Sequence, residues 1–245
     1  MIQVVVLALL PGIGNLVGAV VAELVTPSQR MLSAALHGAA GIVIAIVALE
    51  LIPEARNVLQ PALVGVAFAA GCAAYSLIER VVHATGESSK AQTRMWMIYA
   101  AVAVDLTSDG LMIGSGMAVS FGLALVLAGG QVLADLPEGF AVVANLKDKG
   151  VARKRRILIA LSFLIFPVVA ALSAFMALRH TPEPVQMSAL AFIAGLLSYA
   201  AIEDTIGEAH EATEDTVVAP IAFGVGFALF AAVSGGLRSL ATALQ

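Results

Sequence analysis

Residues 40–55 have the sequence AGIVIAIVALELIPEA, and residues 194–209 have the related sequence AGLLSYAAIEDTIGEA. Each stretch begins with mostly apolar residues and ends with two acids four positions apart, Glu50 and Glu54 in the first and Asp204 and Glu208 in the second. A run of about 20 mostly apolar residues is long enough to cross the hydrocarbon core of a bilayer as a helix. The recurrence of this pattern near both ends of the chain therefore indicates membrane-spanning helices and an internal repeat.

The composition supports an all-α integral membrane protein whose solvent is the lipid bilayer. Of the 245 residues, 60% are hydrophobic and 12% are charged, whereas soluble domains have about 45–50% apolar and about 25% charged residues. So apolar a chain cannot bury its side chains in one water-soluble core. Cys72 is the only cysteine, which excludes an intrachain disulfide and a cysteine-based metal site. No basic face indicates a nucleic-acid partner.

Eight transmembrane helices are predicted, separated by polar segments that favour turns. They cover residues 2–24, 32–54, 60–82, 95–118, 121–145, 157–178, 187–208 and 217–240. The first has no basic N-terminal region and no evident cleavage site, so we expect a retained helix rather than a signal peptide. No segment remains for a soluble domain, and residues 1–245 are predicted to form a single transmembrane domain.

The basic residues predict the orientation. With eight helices, the loops after helices 1, 3, 5 and 7 share one side and carry ten of the thirteen Lys and Arg residues. Cytoplasmic loops are enriched in these residues. We therefore expect both termini on the non-cytoplasmic side of the cell membrane.

The related stretches lie in helices 2 and 7, each of which would be the middle member of a group of three. Helices 1–3 and 6–8 would then be inverted repeats, because each repeat has an odd number of helices, arranged 3+2+3 around central helices 4 and 5. Transporters are often built in this way, with the substrate site near the repeat interface.

Four acids lie well inside the two central helices. Asp105 and Asp109 are four positions apart in helix 4, and Asp135 and Glu138 are three apart in helix 5, so each pair shares one helix face. Gln131 lies one turn before Asp135 on the same face. Since each central acid costs about 2.5–3.5 kcal/mol to insert, something must compensate these charges.

Buried Lys or Arg residues are not expected to compensate the acids, because all thirteen basic residues lie at or near predicted loops. Protons and external cations remain. Several carboxylates beside an amide provide the oxygen ligands with which a divalent cation replaces its water shell. Cation binding would then be coupled to proton release.

Two motifs in these helices resemble the paired signatures of the ZIP (zinc–iron permease) family of divalent metal transporters. In helix 4 the motif is Asp105-Leu-Thr-Ser-Asp109-Gly110, and in helix 5 it is Ala134-Asp135-Leu-Pro137-Glu138-Gly139. The family signatures are His-Asn-x-x-(Asp/Glu)-Gly and (His/Gln)-(Glu/Asp)-x-Pro-Glu-Gly. The resemblance implies the eight-helix layout with outside termini and inverted repeats.

The resemblance also implies roles for individual residues in a transport pathway. Cation ligands between helices 4 and 5 would be Asp105, Asp109, Asp135 and Glu138. Acids near the cytoplasmic exit in helix 7 would be Glu203, Asp204 and Glu208. Glu50 in helix 2, at the repeat-related position, would be a gate or a relay.

Departures from the family pattern change the expected site. Asp105, Leu106 and Ala134 stand where the family has His, Asn and His or Gln, and Phe166-Pro167 stands where it has Glu-Pro. One metal site is therefore expected rather than a binuclear centre. The loss of imidazole shifts the preference from zinc toward harder ions such as manganese, iron(II) or magnesium, although carboxylates still bind zinc and cadmium.

The predicted function is transport of divalent metal cations toward the cytoplasm, with the metal as transported substrate and no organic cofactor. One alternative is a proton- or sodium-coupled carrier of a small solute. A less favoured alternative is an intramembrane aspartyl enzyme, in which paired aspartates share a proton. The predicted partners are the metal cation, protons and the lipid bilayer, and a homodimer is one candidate assembly.

Overall fold

The computed structural model describes residues 1–25, 28–85, 91–207 and 217–243, except for the side chains of residues 82–85, 91–98 and 204. This part of the chain is all-helical and contains no strands. Eight of its helices are long and apolar enough to cross a membrane. The predicted all-α fold with eight helices long and apolar enough to span a membrane is therefore confirmed for the described residues.

The eight helices are numbered in chain order. They are α1 (Ile2–Leu24), α2 (Gln29–Arg56), α3 (Pro61–Thr85), α4 (Ala91–Val119), α5 (Phe121–Asp148), α6 (Arg153–Leu178), α7 (Glu183–Ala200, continued by Ala201–Thr205) and α8 (Val218–Ala243). The segment Val47–Leu51 of α2 and the segment Ala201–Thr205 of α7 are π-helical turns. Short π-helical turns of this kind are frequent at functional sites.

Capping residues set several helix ends. The Ser28 hydroxyl accepts a hydrogen bond from the Met31 amide at 3.3 Å at the start of α2, and the Ser120 hydroxyl does the same for the Leu123 amide at 3.1 Å at the start of α5. Gly150 follows α5 with a φ of 71°, a conformation that favours glycine beyond a helix end. Ser120 is the only residue between the end of α4 and the start of α5.

Helix α6 is interrupted between Arg153–Ser162 and Ile165–Leu178. Pro167 lies just after the interruption and has no amide hydrogen with which to bond the Phe163 carbonyl, four residues earlier. The sequence predicted a continuous helix here, whereas the structure has a local break that follows from the missing amide hydrogen of Pro167.

The helices pack in close pairs. Helix α1 packs mainly against α5, α4 against α6, α2 against α8 and α3 against α7. Helices α4 and α5 also contact each other, α5 contacts α2 and α8, and α4 contacts α1 and α7. The acids of α4 and α5 are consequently placed where several helices meet.

Glycines permit the closest of these approaches. A Cβ at Gly139 of α5 would lie 2.7 Å from the Cα of Asn15 in α1, and a Cβ at Gly114 of α4 would lie 2.7 Å from the Cα of Ala171 in α6. Real Cβ atoms do not approach so closely. Small residues therefore bring the helix backbones around the site into contact.

Candidate metal centre

Three aspartates from α4 and α5 converge inside the bundle. Asp105, Asp109 and Asp135 each offer a carboxylate oxygen, and these oxygens lie within 4.8 Å of one another. Asp109 is fully buried, Asp135 is 1% exposed and Asp105 is partly buried. The four-residue spacing of Asp105 and Asp109 aligns them on one face of α4, and the contact between α4 and α5 brings Asp135 to that face.

The separation of these oxygens is compatible with a single small cation. Oxygens bound to one ion at about 2.1 Å lie no more than about 4.2 Å apart. Three oxygens that are at most 4.8 Å apart lie within about 2.8 Å of a common point, so each needs to move by less than about 1 Å to reach a bond length of about 2.1 Å.

Gln131 belongs to the same group. Its side-chain amide donates a hydrogen bond to Oδ1 of Asp109, and the residue is 2% exposed. Since Gln131 precedes Asp135 by one turn of α5, one helix supplies both an acid and an amide. The Gln131 amide thereby orients the Asp109 carboxylate and leaves its own oxygen available.

Four further oxygens of this group have no hydrogen-bond donor among the described residues. Oδ2 of Asp109, both carboxylate oxygens of Asp135 and Oε1 of Gln131 are buried and accept no hydrogen bond from the described residues. None of the ion pairs among the described residues includes these acids. A buried carboxylate without a partner is costly, so a proton or a cation from outside the chain must neutralise the group.

Glu138 lies beside the three aspartates rather than among them. It lines a cavity of about 60 Å³ together with Asp105 of α4 and Thr205 of α7. The Thr205 hydroxyl donates to Oε1 of Glu138 at 3.5 Å, a long hydrogen bond. Because Thr205 belongs to the π-helical turn of α7, the polar site extends from the α4–α5 contact toward α7.

The structure gives Glu50 a partner inside the chain. Glu50 lies in the π-helical turn of α2, is 3% exposed, and its carboxylate accepts a hydrogen bond from the guanidinium of Arg238 in α8. Arg238 lies near the end of α8, which agrees with the prediction that the basic residues lie at or near loops. The sequence did not show that Arg238 supplies the counter-charge of a predicted site residue.

The predicted acids of α7 are only partly described. Glu203 lies in the π-helical turn and is exposed. The Asp204 side chain and the whole of Glu208 lie outside the described residues. The prediction of a cytoplasmic exit lined by these three acids stays a prediction.

Sequence reasoning did not identify Asn15 or Thr205. Asn15 is 1% exposed in α1, and neither its side-chain nitrogen nor its oxygen has a hydrogen-bond partner among the described residues. Its backbone lies against Gly139, the residue after Glu138. The available signal was an amide within the apolar run Ile2–Leu24, whereas Thr205 had no signal beyond its position next to Asp204.

The arrangement can bind a cation in a shell of carboxylate and amide oxygens. Among the described residues, no Lys or Arg forms an ion pair with these acids and competes with the cation. Carboxylate and amide oxygens are the ligands of hard divalent cations. No protein-family model and no curated protein sequence matches this chain.

Proposed function

We propose that this protein transports divalent metal cations across the cell membrane toward the cytoplasm, through the carboxylate site between α4 and α5. The observation that carries the proposal is the group of buried oxygens on Asp109, Asp135 and Gln131 that have no partner among the described residues. A structural membrane protein has no need of uncompensated acids inside its helices. A cation that enters the site supplies the missing charge.

The proposed transporter is a divergent ZIP-family protein with a 3+2+3 arrangement. The packing supports this arrangement. An inverted repeat would relate α1 to α6, α2 to α7, α3 to α8 and α4 to α5. Under this exchange the α1–α5 pair becomes α6–α4 and the α2–α8 pair becomes α7–α3, and all four pairs are main contacts of the bundle. The π-helical turns fall at corresponding places in α2 and α7. An inverted repeat would account for both features.

The site supports a preference for hard divalent ions. Asp105, Asp109, Asp135 and Gln131 provide oxygen ligands and no imidazole or thiolate, which favours manganese, iron(II) or magnesium over zinc. A single ion is proposed, since the three converging aspartates form one group. Glu138 would then bind the ion during its passage toward α7.

Metal flux into proteoliposomes tests this function. The purified protein is reconstituted, and uptake of manganese, iron(II), magnesium, zinc and cadmium is measured for the wild type and for Asp135→Ala. We expect flux to fall at least about tenfold in the variant, because even changes in residues that support metal ligands reduce affinity 10- to 100-fold.

Glu183→Ala is the matched control, because Glu183 is an exposed acid at the start of α7. This variant should transport like the wild type, and circular dichroism should show equal helix content in all three proteins. Undiminished flux in Asp135→Ala, or no flux of any of these ions in the wild type, would refute the proposed function.

A further inference from the structure

Exposed basic side chains cluster where α5 ends and α6 begins. This basic surface consists of Lys149, Arg153, Lys154 and Arg155, all of which are exposed. The neighbouring Arg156 is buried instead, and its guanidinium binds both carboxylate oxygens of Glu23 in α1 at 2.6 and 2.8 Å. The buried arginine ties α6 to α1 and leaves the other four side chains outside.

The charge of the basic surface is only partly compensated within the described chain. Lys149, Lys154 and Arg155 form no ion pair with a described residue, and Arg153 lies 3.6 Å from a Glu23 carboxylate that Arg156 already occupies. The exposed Asp148 also makes no ion pair there.

The start of α6 adds to the positive potential. Its first turn contains no acidic residue, and Ala152 at the N-cap offers no side chain to the free amides. The positive end of the helix dipole thus coincides with three exposed basic side chains, an arrangement that is unfavourable without an anion.

An apolar band begins one turn further along α6. Ile157, Leu158 and Leu161 are 44%, 64% and 45% exposed, which is typical of side chains that face lipid tails. At 1.5 Å rise per residue, Leu158 follows Arg155 by about 4.5 Å along the helix. The basic surface is therefore at the height where headgroup phosphates border the hydrocarbon region.

We propose that the basic surface binds the headgroup phosphates of anionic phospholipids in the leaflet that it faces. The positive side chains and the free helix amides match a phosphate in charge and hydrogen bonding, and the apolar band matches its acyl chains. This interaction is independent of the cation site and does not require the proposed transport function.

Native mass spectrometry of the full-length protein in detergent tests the proposal. Dioleoyl phosphatidylglycerol and dioleoyl phosphatidylcholine are titrated separately onto the wild type, Lys154→Gln/Arg155→Gln and Arg56→Gln/Arg179→Gln. The third protein is the matched control, because it also loses two exposed basic residues, outside the basic surface.

We expect phosphatidylglycerol to bind the wild type and the control more tightly than phosphatidylcholine does. Binding to Lys154→Gln/Arg155→Gln should weaken at least about tenfold, because each basic residue near an anionic surface contributes a roughly fivefold gain. Equal binding of the two lipids to the wild type, or equal losses in both double variants, would overturn the proposal. Displacement of the lipid by millimolar inorganic phosphate would also overturn it, since the surface would then recognise soluble anions.

Discussion

Asp109 and Gln131 illustrate how much of this site depends on single polar atoms in an apolar environment. One oxygen of Asp109 accepts a hydrogen bond from Gln131, and the other has no described partner. In a bilayer such an atom cannot turn to water for compensation. These two residues therefore determine where the interior of the bundle needs a proton or a cation, and the small residues beside them determine how closely the helices surround that place.

Gly139→Ala tests the close contact next to Glu138. The added methyl group would meet the Asn15 backbone of α1, and overpacking of this kind costs about 1–3 kcal/mol. Thermal unfolding in detergent should show a lower midpoint for this variant than for the wild type.

Gly65→Ala is the control for that substitution, because a Cβ at Gly65 of α3 would have no neighbour within 4 Å. Its unfolding midpoint should be unchanged or slightly higher, since alanine is the better helix former. Equal stability of the two variants would contradict the close α1–α5 contact.

Two kinds of irregularity distinguish the helices from uniform membrane spans. The π-helical turns of α2 and α7 hold Glu50 and Thr205 at positions from which they bind Arg238 and Glu138. The break in α6 follows from Pro167. Without the π-helical turn, the residues that follow it would lie on a different face of the helix. The turns therefore change the direction of side chains while the segment stays helical.

The ion pair between α1 and α6 predicts a stability effect at the level of elements. Glu23→Gln removes the carboxylate that neutralises Arg156, whose side chain is 10% exposed. Leaving such a charge unpaired should cost about 3 kcal/mol, measured as a loss of free energy of unfolding in a denaturant titration.

Arg153→Gln should cost less than about 1 kcal/mol, because the Arg153 side chain is 72% exposed and lies 3.6 Å from Glu23. The double variant Glu23→Gln/Arg156→Gln should recover part of the loss, since no unpaired charge remains. If Glu23→Gln were no more destabilising than Arg153→Gln, the pair would not hold the two helices together.

On the scale of the whole molecule, polarity is distributed in the opposite way to a soluble protein. Large apolar side chains are exposed on the outer helices, with Val6 at 54%, Val66 at 68% and Val225 at 61%, whereas Asp109 and Asp135 are buried. Lipid solvates the outside of such a bundle, and only the interior can hold charge. The distribution of the basic residues predicts how the bundle is oriented in the bilayer.

Cysteine labelling tests this orientation. In a Cys72→Ser background, a membrane-impermeant maleimide should label Gln60→Cys in intact cells but label Lys149→Cys only after the membrane is permeabilised. Both positions are exposed, in the turns after α2 and α5. The positive-inside rule places the Lys149 turn in the cytoplasm. The reverse labelling pattern would contradict the predicted orientation of the bundle in the membrane.

By itself, the sequence determined the helical class, the number of apolar helices and the acids that share a helix face. These properties follow from local quantities: the length of an apolar run and the 3.6-residue period. Only the tertiary structure decided that Asp135 lies within 4.8 Å of two aspartates in the preceding helix, that Gln131 donates to Asp109, and that Glu50 is held by Arg238. Such contacts depend on the rotation of each helix and on the distance between helices, and these are governed by glycine contacts and π-helical turns. Glu50 and Arg238 are 188 positions apart, so no local pattern in the sequence indicates that they meet.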